Sequence, residues 1–423
     1  MFWRALRHPH VPEERARAKA IWDSLPEELH TPDQGFGRWS TGCGATWGVM
    51  ERCDFGCTAC YLAKGANQTD AMPFEQVAEQ IDALKAHMGA GARIQITAGE
   101  VTLLPCDDLI RIVKYARDCG LIPMVMTHGQ RFLREPEYLE RLVLEAGLDR
   151  FSFHVDTTQR GRDGGDPETE AELMSVRDAM ADLIRRTRKK TGKTLYAAHT
   201  VTVTADNLPE LPDIVRWCVR NADTVRLLGL QPLAQVGRTR VEGRPNEVWE
   251  KVCEGIGRPI HDRTWLFGHP DCNQFACLWV CGKDVVEVRR KGSKLDSWFM
   301  GTLMQASLQG WTMQGEPQRI AYARLAGHLL RDPRPLLRGI FFSTVRLLGN
   351  WRLLKRPRPF VINVHHFMDA DMLDTPEGKA RVEACVFKLP VDGEMVSMCA
   401  FNGGGTRAAK TNERVEKAGA AIN

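Results

Sequence analysis

The sequence predicts an α/β protein built around a parallel β-sheet, and three observations favour this class. Short β-rich runs alternate with longer amphipathic stretches from about residue 45 to 240, as in repeated βα units. Six such runs separated by helices imply a parallel sheet that is either open or curled into a partial barrel. The 43% of hydrophobic and 26% of charged residues are typical of a folded globular protein.

The six predicted strands are short and rich in β-branched, aromatic or other apolar residues. In chain order they are TWGVM (46–50), RIQIT (93–97), PMVMT (123–127), RFSFHV (150–155), LYAAHTVTV (195–203) and TVRLLGL (224–230). Amphipathic segments between them predict helices over 73–88, 107–119, 135–146, 167–190 and 208–221. The first of these helices begins at Pro73 and ends before Gly89, as the chemistry of helix boundaries predicts.

The length of the chain predicts more than one structural unit. At 423 residues it exceeds the usual size of a single core, so we expect one large catalytic domain with an appended module. We predict an N-terminal extension over 1–44, a barrel over 45–240, a cysteine-rich module over 241–402 and a flexible tail over 403–423. The basic N-terminus lacks the apolar region of a secretion signal, and no run of about 18 apolar residues predicts a membrane span.

Charge and cysteine content narrow the class further. The net charge of +4 gives no global signal for binding a polyanion. Thirteen cysteines in an unsecreted chain are better explained by metal or cluster binding, together with some buried thiols, than by disulfides. The sequence therefore predicts a protein of a reducing, cytoplasmic compartment.

Three cysteines lie in the eight-residue stretch CDFGCTAC, at Cys53, Cys57 and Cys60, directly after the first predicted strand. Folds of this class build their active sites at the carboxyl ends of the strands. A [4Fe–4S] cluster is normally held by four cysteine thiolates, so three on one loop leave one iron open to an amino-acid ligand such as S-adenosylmethionine. The alternatives are a zinc site with the remote Cys43 as fourth ligand, or buried thiols without a metal.

This stretch resembles the C-x3-C-x2-C signature of the radical S-adenosylmethionine (SAM) superfamily, in which an aromatic residue follows, here Tyr61. The resemblance covers about residues 45–235 and implies a partial (β/α)6 barrel with a [4Fe–4S] cluster and SAM as cofactors. It implies that reductive cleavage of SAM yields a 5′-deoxyadenosyl radical, which abstracts hydrogen from an unactivated carbon. It also implies an external reductant such as flavodoxin or ferredoxin.

The end of the second predicted strand resembles the Gly-Gly-Glu segment with which the superfamily binds the methionine amino group. Here the segment reads Ala98-Gly99-Glu100, with alanine in place of the first glycine. The resemblance implies Glu100 as the acceptor for the amine, since a carboxylate suits a protonated amine. It implies Gly99 as the point where the backbone approaches the cofactor closely.

The ends of the third and fourth predicted strands supply further candidates for cofactor binding. Thr127 and His128 lie in MTHGQ, where the superfamily often has an Asn-Gly turn. Asp156 in FHVDTT lies where a polar side chain commonly meets the ribose hydroxyls, and the alternative is a plain helix cap. His128, His154 and His199, taken singly, are more often structural histidines than substrate contacts.

A second group of cysteines predicts auxiliary iron–sulfur clusters outside the barrel. The segment HPDCNQFACLWVC has another cluster-like spacing, and two later cysteines lie in apolar runs joined by the DG turn at 392–393, which predicts a hairpin. The candidate ligands are Cys272, Cys277, Cys281, Cys385 and Cys399. Cys43 could join either group, and the alternative is that these are buried thiols without a metal.

Three segments resemble one branch of the superfamily, which includes the tetraether-lipid synthases. They are QPLAQVGRT (231–239), HHFMDADML (365–373) and the C-terminal pattern Cys…Asp-Gly…Cys-x-Phe-Asn. The resemblance implies auxiliary clusters beside the radical site and, as the reaction, carbon–carbon bond formation on the acyl or alkyl chain of a membrane lipid. The first alternative is the maturation or methylation of a peptide or small metabolite. A non-catalytic metal-binding interaction protein is a third interpretation.

Residues 319–358 alternate cationic with apolar side chains and contain ten Lys and Arg residues against one acidic residue, Asp332. Such a segment suits a membrane interface, where each Lys or Arg near anionic lipid contributes about 1 kcal/mol. We therefore expect peripheral binding to the inner face of the cell membrane, with Phe341, Phe342 and Trp351 as anchors. The alternatives are an ordinary helix pair packed on the barrel, or a nucleic-acid site, which the scarcity of stacking aromatics disfavours.

Overall fold

A mixed β-sheet forms the centre of the molecule. The computed structural model describes residues 2–8, 12–38, 40–262, 265–299, 301 and 318–420. The strands are β1 (Cys43–Ala45), β2 (Arg93–Ile96), β3 (Ile122–Thr127), β4 (Arg150–His154), β5 (Tyr196–Val203), β6 (Val225–Pro232), β7 (Asn273–Cys281), β8 (Asp284–Glu287), β9 (Arg358–His365), β10 (Phe387–Val391) and β11 (Glu394–Ser397). Within the described residues they form one sheet in the order β11-β10-β1-β2-β3-β4-β5-β6-β9-β7-β8.

Helices cover the sheet and connect its parallel strands. They are α1 (Phe2–Arg7), α2 (Pro12–Asp23), α3 (Phe74–Met88), α4 (Cys106–Asp118), α5 (Gln130–Arg134), α6 (Pro136–Glu145), α7 (Met174–Thr191), α8 (Leu211–Arg220), α9 (Val248–Ile256), α10 (Gln318–Arg331), α11 (Arg334–Gly349), α12 (Pro376–Glu383), α13 (Met398–Gly403) and α14 (Thr406–Ala420). On α3 the buried residues Val77, Ile81, Leu84 and Met88 recur every three or four positions, which gives the helix one apolar face toward the sheet. None of the described helices is long and apolar enough to cross a membrane.

The predicted fold class is confirmed. Strands β1 to β6 are parallel and adjacent in chain order, and they curl into a partial barrel with helices outside. The carboxyl ends of these six strands therefore meet at one edge, where a site can be assembled from the loops that follow them.

Two predicted elements begin elsewhere than expected. The first strand covers Cys43–Ala45 rather than 46–50, because the Trp47 amide donates to the Gln80 side chain (2.8 Å) instead of to a neighbouring strand. Helix α7 begins at Met174 rather than at 167, because the preceding segment turns the Glu170 carboxylate inward to a fully buried ion pair with Arg177.

Strands from the predicted cysteine-rich module extend both edges of the barrel sheet. β10 pairs in parallel with β1, and β11 continues that edge through a hairpin whose turn residues Asp392 and Gly393 both have positive φ. At the other edge β9 pairs in parallel with β6, and β7 and β8 follow in antiparallel pairing. The sheet is therefore continuous across the boundary expected near residue 240.

The C-terminal segment differs from the expectation of a flexible tail over 403–423. Residues Thr406–Ala420 form α14, and two of its side chains, Arg407 and Thr411, are buried. Both donate to the buried carboxylate of Glu51, from Arg407 Nη1 over 3.2 Å and from Thr411 Oγ1 over 3.1 Å. A buried charge requires such partners, and α14 supplies them.

Candidate iron–sulfur and cofactor site

The loop 53–60 follows β1 at the carboxyl edge of the parallel strands. Its backbone is fixed by the loops after two other strands: the Thr58 amide donates to the Thr158 carbonyl (2.8 Å), and the Thr58 carbonyl accepts from the Arg240 amide (2.7 Å). These bonds hold the loop in place independently of any metal.

Cys57 lies within electrostatic reach of both other thiols of this loop. The pKa of Cys57 is raised to about 12, chiefly by burial and then by the neighbouring Cys60 and Asp156. Burial also raises the pKa of Cys53, to which Glu100 and Cys57 add. Thiolates are unfavourable in such surroundings unless a cation compensates their charge. Ferric and ferrous ions supply that charge, so the donor set fits a cluster held by three cysteines.

Two hydrogen bonds to sulfur support the same arrangement. Arg238 Nη2 donates to Cys60 Sγ (3.3 Å), and the Phe55 amide donates to Cys53 Sγ (3.4 Å). Such bonds stabilise thiolate charge and are among the groups that tune a bound cluster.

Cys43 lies apart from the loop cysteines. It is on β1, where the Gln95 side-chain amide is 3.9 Å from its Sγ, and burial raises its pKa to about 11. The charged group that most affects it is Arg93, not a loop thiolate. The structure therefore gives no support to a zinc site completed by Cys43.

Glu100 joins the ends of β2 and β3. Its Oε1 accepts from the Thr102 amide (3.0 Å) and from the Thr102 and Thr127 hydroxyls (2.6 and 2.7 Å). Its Oε2 accepts from the His128 amide (2.8 Å). The carboxylate is thus buried and largely satisfied by protein donors, so a cofactor amine would have to share or replace one of them.

His128 lies at the same strand end and faces the cysteine loop. Its ring stacks on Phe55, with ring centroids 3.8 Å apart, and its Nε2 is 2.8 Å from Oδ1 of Asp54. The hydrogen bond with His128 lowers the pKa of Asp54. The ligand atoms of Cys53, Asp54 and His128 all lie within 4.8 Å of one another. Sequence reasoning missed Asp54, although it lies inside the motif.

Asp156 is buried at the end of β4. Its Oδ1 accepts from the amide and hydroxyl of Thr158 (2.9 and 2.6 Å), and its Oδ2 accepts from the Thr202 amide (2.6 Å). His154 Nε2 lies 2.5 Å from the same Oδ2. Burial acts to raise the pKa of Asp156, but the His154 ring and these hydrogen bonds lower it below its usual range. The Asp156 carboxylate therefore fixes the turn after β4. His199, another histidine considered from the sequence, is buried and accepts a hydrogen bond from Arg177.

Arg162 and Arg407 reach this site without having been predicted. Arg162 is buried, donates through Nη2 to the Gln159 side chain (2.6 Å), and its Nε has no hydrogen-bond partner. Burial lowers the pKa of Arg162 to about 10, although Asp156 acts to raise it. Arg407 of α14 lies over the ring of Tyr61 at 4.9 Å. For Arg162 the only signal in the sequence was the pair of arginines, Arg160 and Arg162, in the loop after β4. For Arg407 the local sequence gave no signal.

Ala98 carries backbone strain at the position where the superfamily has glycine. Its φ is 112°, a region that side-chain-bearing residues rarely adopt. Gly99 follows with φ of 51°, and a Cβ there would lie 2.4 to 2.5 Å from the carbonyl oxygens of residues 50–52. The strand end is thus held against the segment that leads into the cysteine loop.

Ala98→Gly is expected to stabilise the protein by about 1 kcal/mol, because relief of strain of about 1–3 kcal/mol exceeds the added entropy of the unfolded chain. The midpoint of urea unfolding measures this. Ala181→Gly, at an ordinary buried position of α7, is the matched control and should destabilise by about 1 kcal/mol or more. Equal destabilisation by both substitutions would contradict strain at Ala98.

The structure brings together a different set of the remaining cysteines from the set that their spacing in the sequence predicted. Cys272, Cys385 and Cys399 line one cavity. The pKa of Cys385 is raised to about 12, chiefly by burial, and the neighbouring Cys399 and Cys272 contribute to the rise. Arg381 Nε donates to Cys272 Sγ (3.5 Å). His366 also lines this cavity, and burial lowers its pKa to about 4, so its neutral ring could be a metal ligand.

Cys277 and Cys281 do not join this group, which corrects the expected trio of Cys272, Cys277 and Cys281. All three lie on or beside β7, and an extended strand advances about 3.3 Å per residue, so the first and last are roughly 30 Å apart. Cys277 lies near Asp262 and Arg289, whereas Cys281 is buried in an apolar cluster. Cysteines along one strand cannot converge on one cluster.

The fold and the loop together define a class: a partial α/β barrel with a three-cysteine, metal-competent loop at the carboxyl edge of its strands. Residues 47–218 match the family model of the radical SAM superfamily.

One curated relative extends the comparison. The chain is 26% identical over 217 residues to 7,8-dihydro-6-hydroxymethylpterin dimethyltransferase of Methanocaldococcus jannaschii, which covers 48% of this chain and 40% of that protein. The chain therefore spans about two fifths of the length of this relative.

Solved structures give weak likenesses. SuiB of Streptococcus suis bound to its precursor peptide SuiA superposes with a TM-score of 0.38 at 13% identity, over 51% of this chain and 45% of that one. Native anSMEcpe with bound AdoMet gives a TM-score of 0.34 at 13% identity, over 44% of this chain and 50% of that one.

Proposed function

We propose that the chain is a radical SAM enzyme that holds a [4Fe–4S] cluster on Cys53, Cys57 and Cys60 and removes hydrogen from an unactivated carbon. The observation that supports this proposal is the loop itself, which places three thiols at the carboxyl edge of a partial barrel, with Cys57 within electrostatic reach of Cys53 and Cys60, inside the segment that matches the radical SAM family model. Among the described residues no fourth cysteine shares that loop's surroundings. An external reductant such as flavodoxin or ferredoxin would supply the electron.

The chain's own residues would bind and orient the cofactors. When bound, the cluster and SAM together supply a 5′-deoxyadenosyl radical, the group that removes the hydrogen atom. We assign the lining of the SAM site to Tyr61, Gly99, Glu100, Thr127, His128 and Asp156. Glu100 and Asp156 act mainly by fixing the strand ends, because both carboxylates already accept several protein hydrogen bonds. Arg162, with its free Nε, would hold the SAM carboxylate.

The proposed substrate is the acyl or alkyl chain of a membrane lipid, joined through a new carbon–carbon bond. Two observations support it: the segments that resemble the tetraether-lipid branch, and the exposed apolar side chains of α10, α11 and the turn after them. The proposed auxiliary cluster would lie on Cys272, Cys385 and Cys399. The likeness to the pterin dimethyltransferase favours a second candidate, methylation of a small metabolite.

Deuterium transfer separates the two candidates. The anaerobically reconstituted protein is incubated with SAM, dithionite and phospholipids whose acyl chains are fully deuterated, and the 5′-deoxyadenosine formed is examined by mass spectrometry. A lipid substrate predicts deuterium in 5′-deoxyadenosine, because the hydrogen removed comes from the chain. Deuterium-free product with lipid, together with stimulated cleavage by a reduced pterin, would support the second candidate and reject the first.

Iron content tests the auxiliary site. We expect about eight irons per chain in the wild type and about four in Cys399→Ala, because each [4Fe–4S] cluster contributes four. Cys277→Ala is the matched control, a half-buried thiol of the same module outside the cavity, and should keep about eight irons per chain. If Cys277→Ala lost as much iron as Cys399→Ala, the ligand set inferred from the structure would be wrong. The ligand set predicted from the sequence spacing, which includes Cys277, would then be favoured.

A further inference from the structure

A pocket with a volume of about 130 Å³ lies between the end of α9, the segment after β8 and the C-terminal end of α11. Its lining includes three arginines, Arg258, Arg290 and Arg346, and one acidic residue, Glu287. On the same measure a single water needs roughly 10–15 Å³, so the pocket has room for a larger polar group. The predominance of arginine favours an anion.

Arg346 lines this pocket and is itself buried. Its Nη2 donates to the Glu287 carbonyl (2.6 Å), and its Nη1 is 3.5 Å from a carboxylate oxygen of Asp296. Its Nε is buried and has no hydrogen-bond partner. A buried guanidinium group with an unsatisfied donor is stabilised by an anion that reaches it.

The acidic groups nearby are already engaged elsewhere. The Glu287 carboxylate accepts from the amides of His261 (2.6 Å) and Asp262 (3.1 Å), and the buried Asp296 carboxylate is shared between Arg290 and Arg346. Arg258 is exposed and has no ion pair or hydrogen bond from its side chain to the described residues. The pocket therefore keeps a net positive charge, with a cation at its mouth that is free to bind a ligand.

An exposed apolar surface adjoins the pocket. We call it the apolar surface; it consists of Leu336, Leu337, Ile340, Phe341, Leu347, Leu348, Trp351 and Leu354. Leu348 is 84% and Trp351 is 63% exposed, and they flank Gly349 and Asn350, which line the pocket. Large exposed apolar patches rarely occur on soluble proteins without a partner. Here the patch stands beside a site for an anion and within a segment of ten Lys and Arg residues.

We propose that this pocket binds the phosphate of an anionic phospholipid headgroup while the apolar surface enters the same leaflet. A phospholipid is the ligand whose chemistry combines a phosphate with adjoining hydrocarbon, as the pocket combines arginines with adjoining apolar side chains. Arg258 and Arg346 bind the phosphate, with Trp351 at the depth of the headgroups, where tryptophan is favoured. The proposal deepens the lipid substrate proposed above, but it concerns binding alone and does not require turnover.

Vesicle co-sedimentation tests it on the full-length protein without SAM or reductant, so that failure of the radical chemistry cannot affect the result. Vesicles of phosphatidylcholine with phosphatidylglycerol should bind the wild type, in a manner weakened by salt. Arg258→Gln should weaken binding about fivefold, the equivalent of about 1 kcal/mol for one cation near anionic lipid. The matched control is Arg186→Gln, an exposed arginine of α7 that removes the same charge from the barrel.

Two further arms distinguish the sources of phosphate. Leu348→Ser with Trp351→Ser should also reduce vesicle binding, and soluble glycerol 3-phosphate should compete only weakly, because it lacks the hydrocarbon. Wild-type protein that does not sediment with the vesicles, or equal binding by Arg258→Gln and Arg186→Gln, overturns the proposal. Strong competition by glycerol 3-phosphate, with no effect of the double variant, also overturns it and indicates a soluble phosphate ligand.

Discussion

Replacing Cys57 by alanine is expected to abolish the reductive cleavage of SAM. Two thiolates cannot hold a cluster that needs three, and even the outer partners of metal ligands cost about 10- to 100-fold when they are removed, so the loss should exceed about 100-fold. The measurement is the yield of 5′-deoxyadenosine from anaerobically reconstituted protein with dithionite, quantified by liquid chromatography. The iron content should fall by about four per chain.

Cys106→Ala is the matched control for this result. Cys106 begins α4 and is half-buried against the core, and its Sγ donates to the Tyr138 carbonyl (3.8 Å), so its loss should leave both iron content and SAM cleavage unchanged. Undiminished cleavage by Cys57→Ala would mean that the loop does not hold the reactive cluster. Equal losses in both variants would indicate a general effect of cysteine removal on folding.

The second large effect is expected on stability, from Arg407→Met in the C-terminal helix. Arg407 and Glu51 are both almost fully buried, and breaking a buried ion pair by removing one partner typically costs about 3–5 kcal/mol. Thr411 and Arg414 still contact Glu51 in this variant. We therefore expect the free energy of unfolding to fall by about 3 kcal/mol, the lower end of that range. Urea unfolding followed by circular dichroism measures it.

Two comparison variants show whether the loss arises from the buried charge. Glu413→Ala, on the exposed face of the same helix, should change the free energy of unfolding by less than about 0.5 kcal/mol. Glu51→Gln combined with Arg407→Met should recover part of the loss, because no unpaired charge then remains. If Arg407→Met were no more destabilising than Glu413→Ala, the helix would not be anchored as the structure describes.

Arg407 also contacts the residue that follows the cysteine loop. The guanidinium lies over Tyr61, which follows the last loop cysteine, and its charge acts to lower the pKa of the Tyr61 hydroxyl against the raising effect of burial. The C-terminal helix therefore contacts both sides of the cysteine loop, at Glu51 and at Tyr61, although more than 340 residues separate the two segments in the chain.

Local patterns predicted most of the barrel. Strands β2 to β6 lie within one or two residues of their predicted positions, because each is a short apolar run between clear helix and turn signals. The cysteine loop was placed correctly after the first strand for the same reason, since its motif and the strand are neighbours in sequence. Elements that depend mainly on their own local sequence could therefore be predicted from it.

Long-range contacts explain what the sequence did not reveal. α14 is a polar segment, and its anchor is the charge on Glu51 in a different part of the fold. The candidate auxiliary ligands were grouped by spacing, but β7 is extended, so Cys272 shares a cavity with Cys385 and Cys399 rather than with its neighbours in sequence. The close approach of Gly99 to the carbonyl oxygens of residues 50–52 is likewise a contact between two segments that are distant in sequence.

The most direct test of the central claim is a measurement of SAM bound to the loop cluster. In a variant with Cys272, Cys385 and Cys399 all replaced by alanine, only the loop cluster remains, and electron–nuclear double resonance is recorded on the reduced protein with 17O- and 15N-labelled SAM. We predict about four irons per chain and hyperfine coupling from both labels, since three cysteines leave one iron for the cofactor. A fully reduced cluster without either coupling, or zinc in place of iron, would contradict the account.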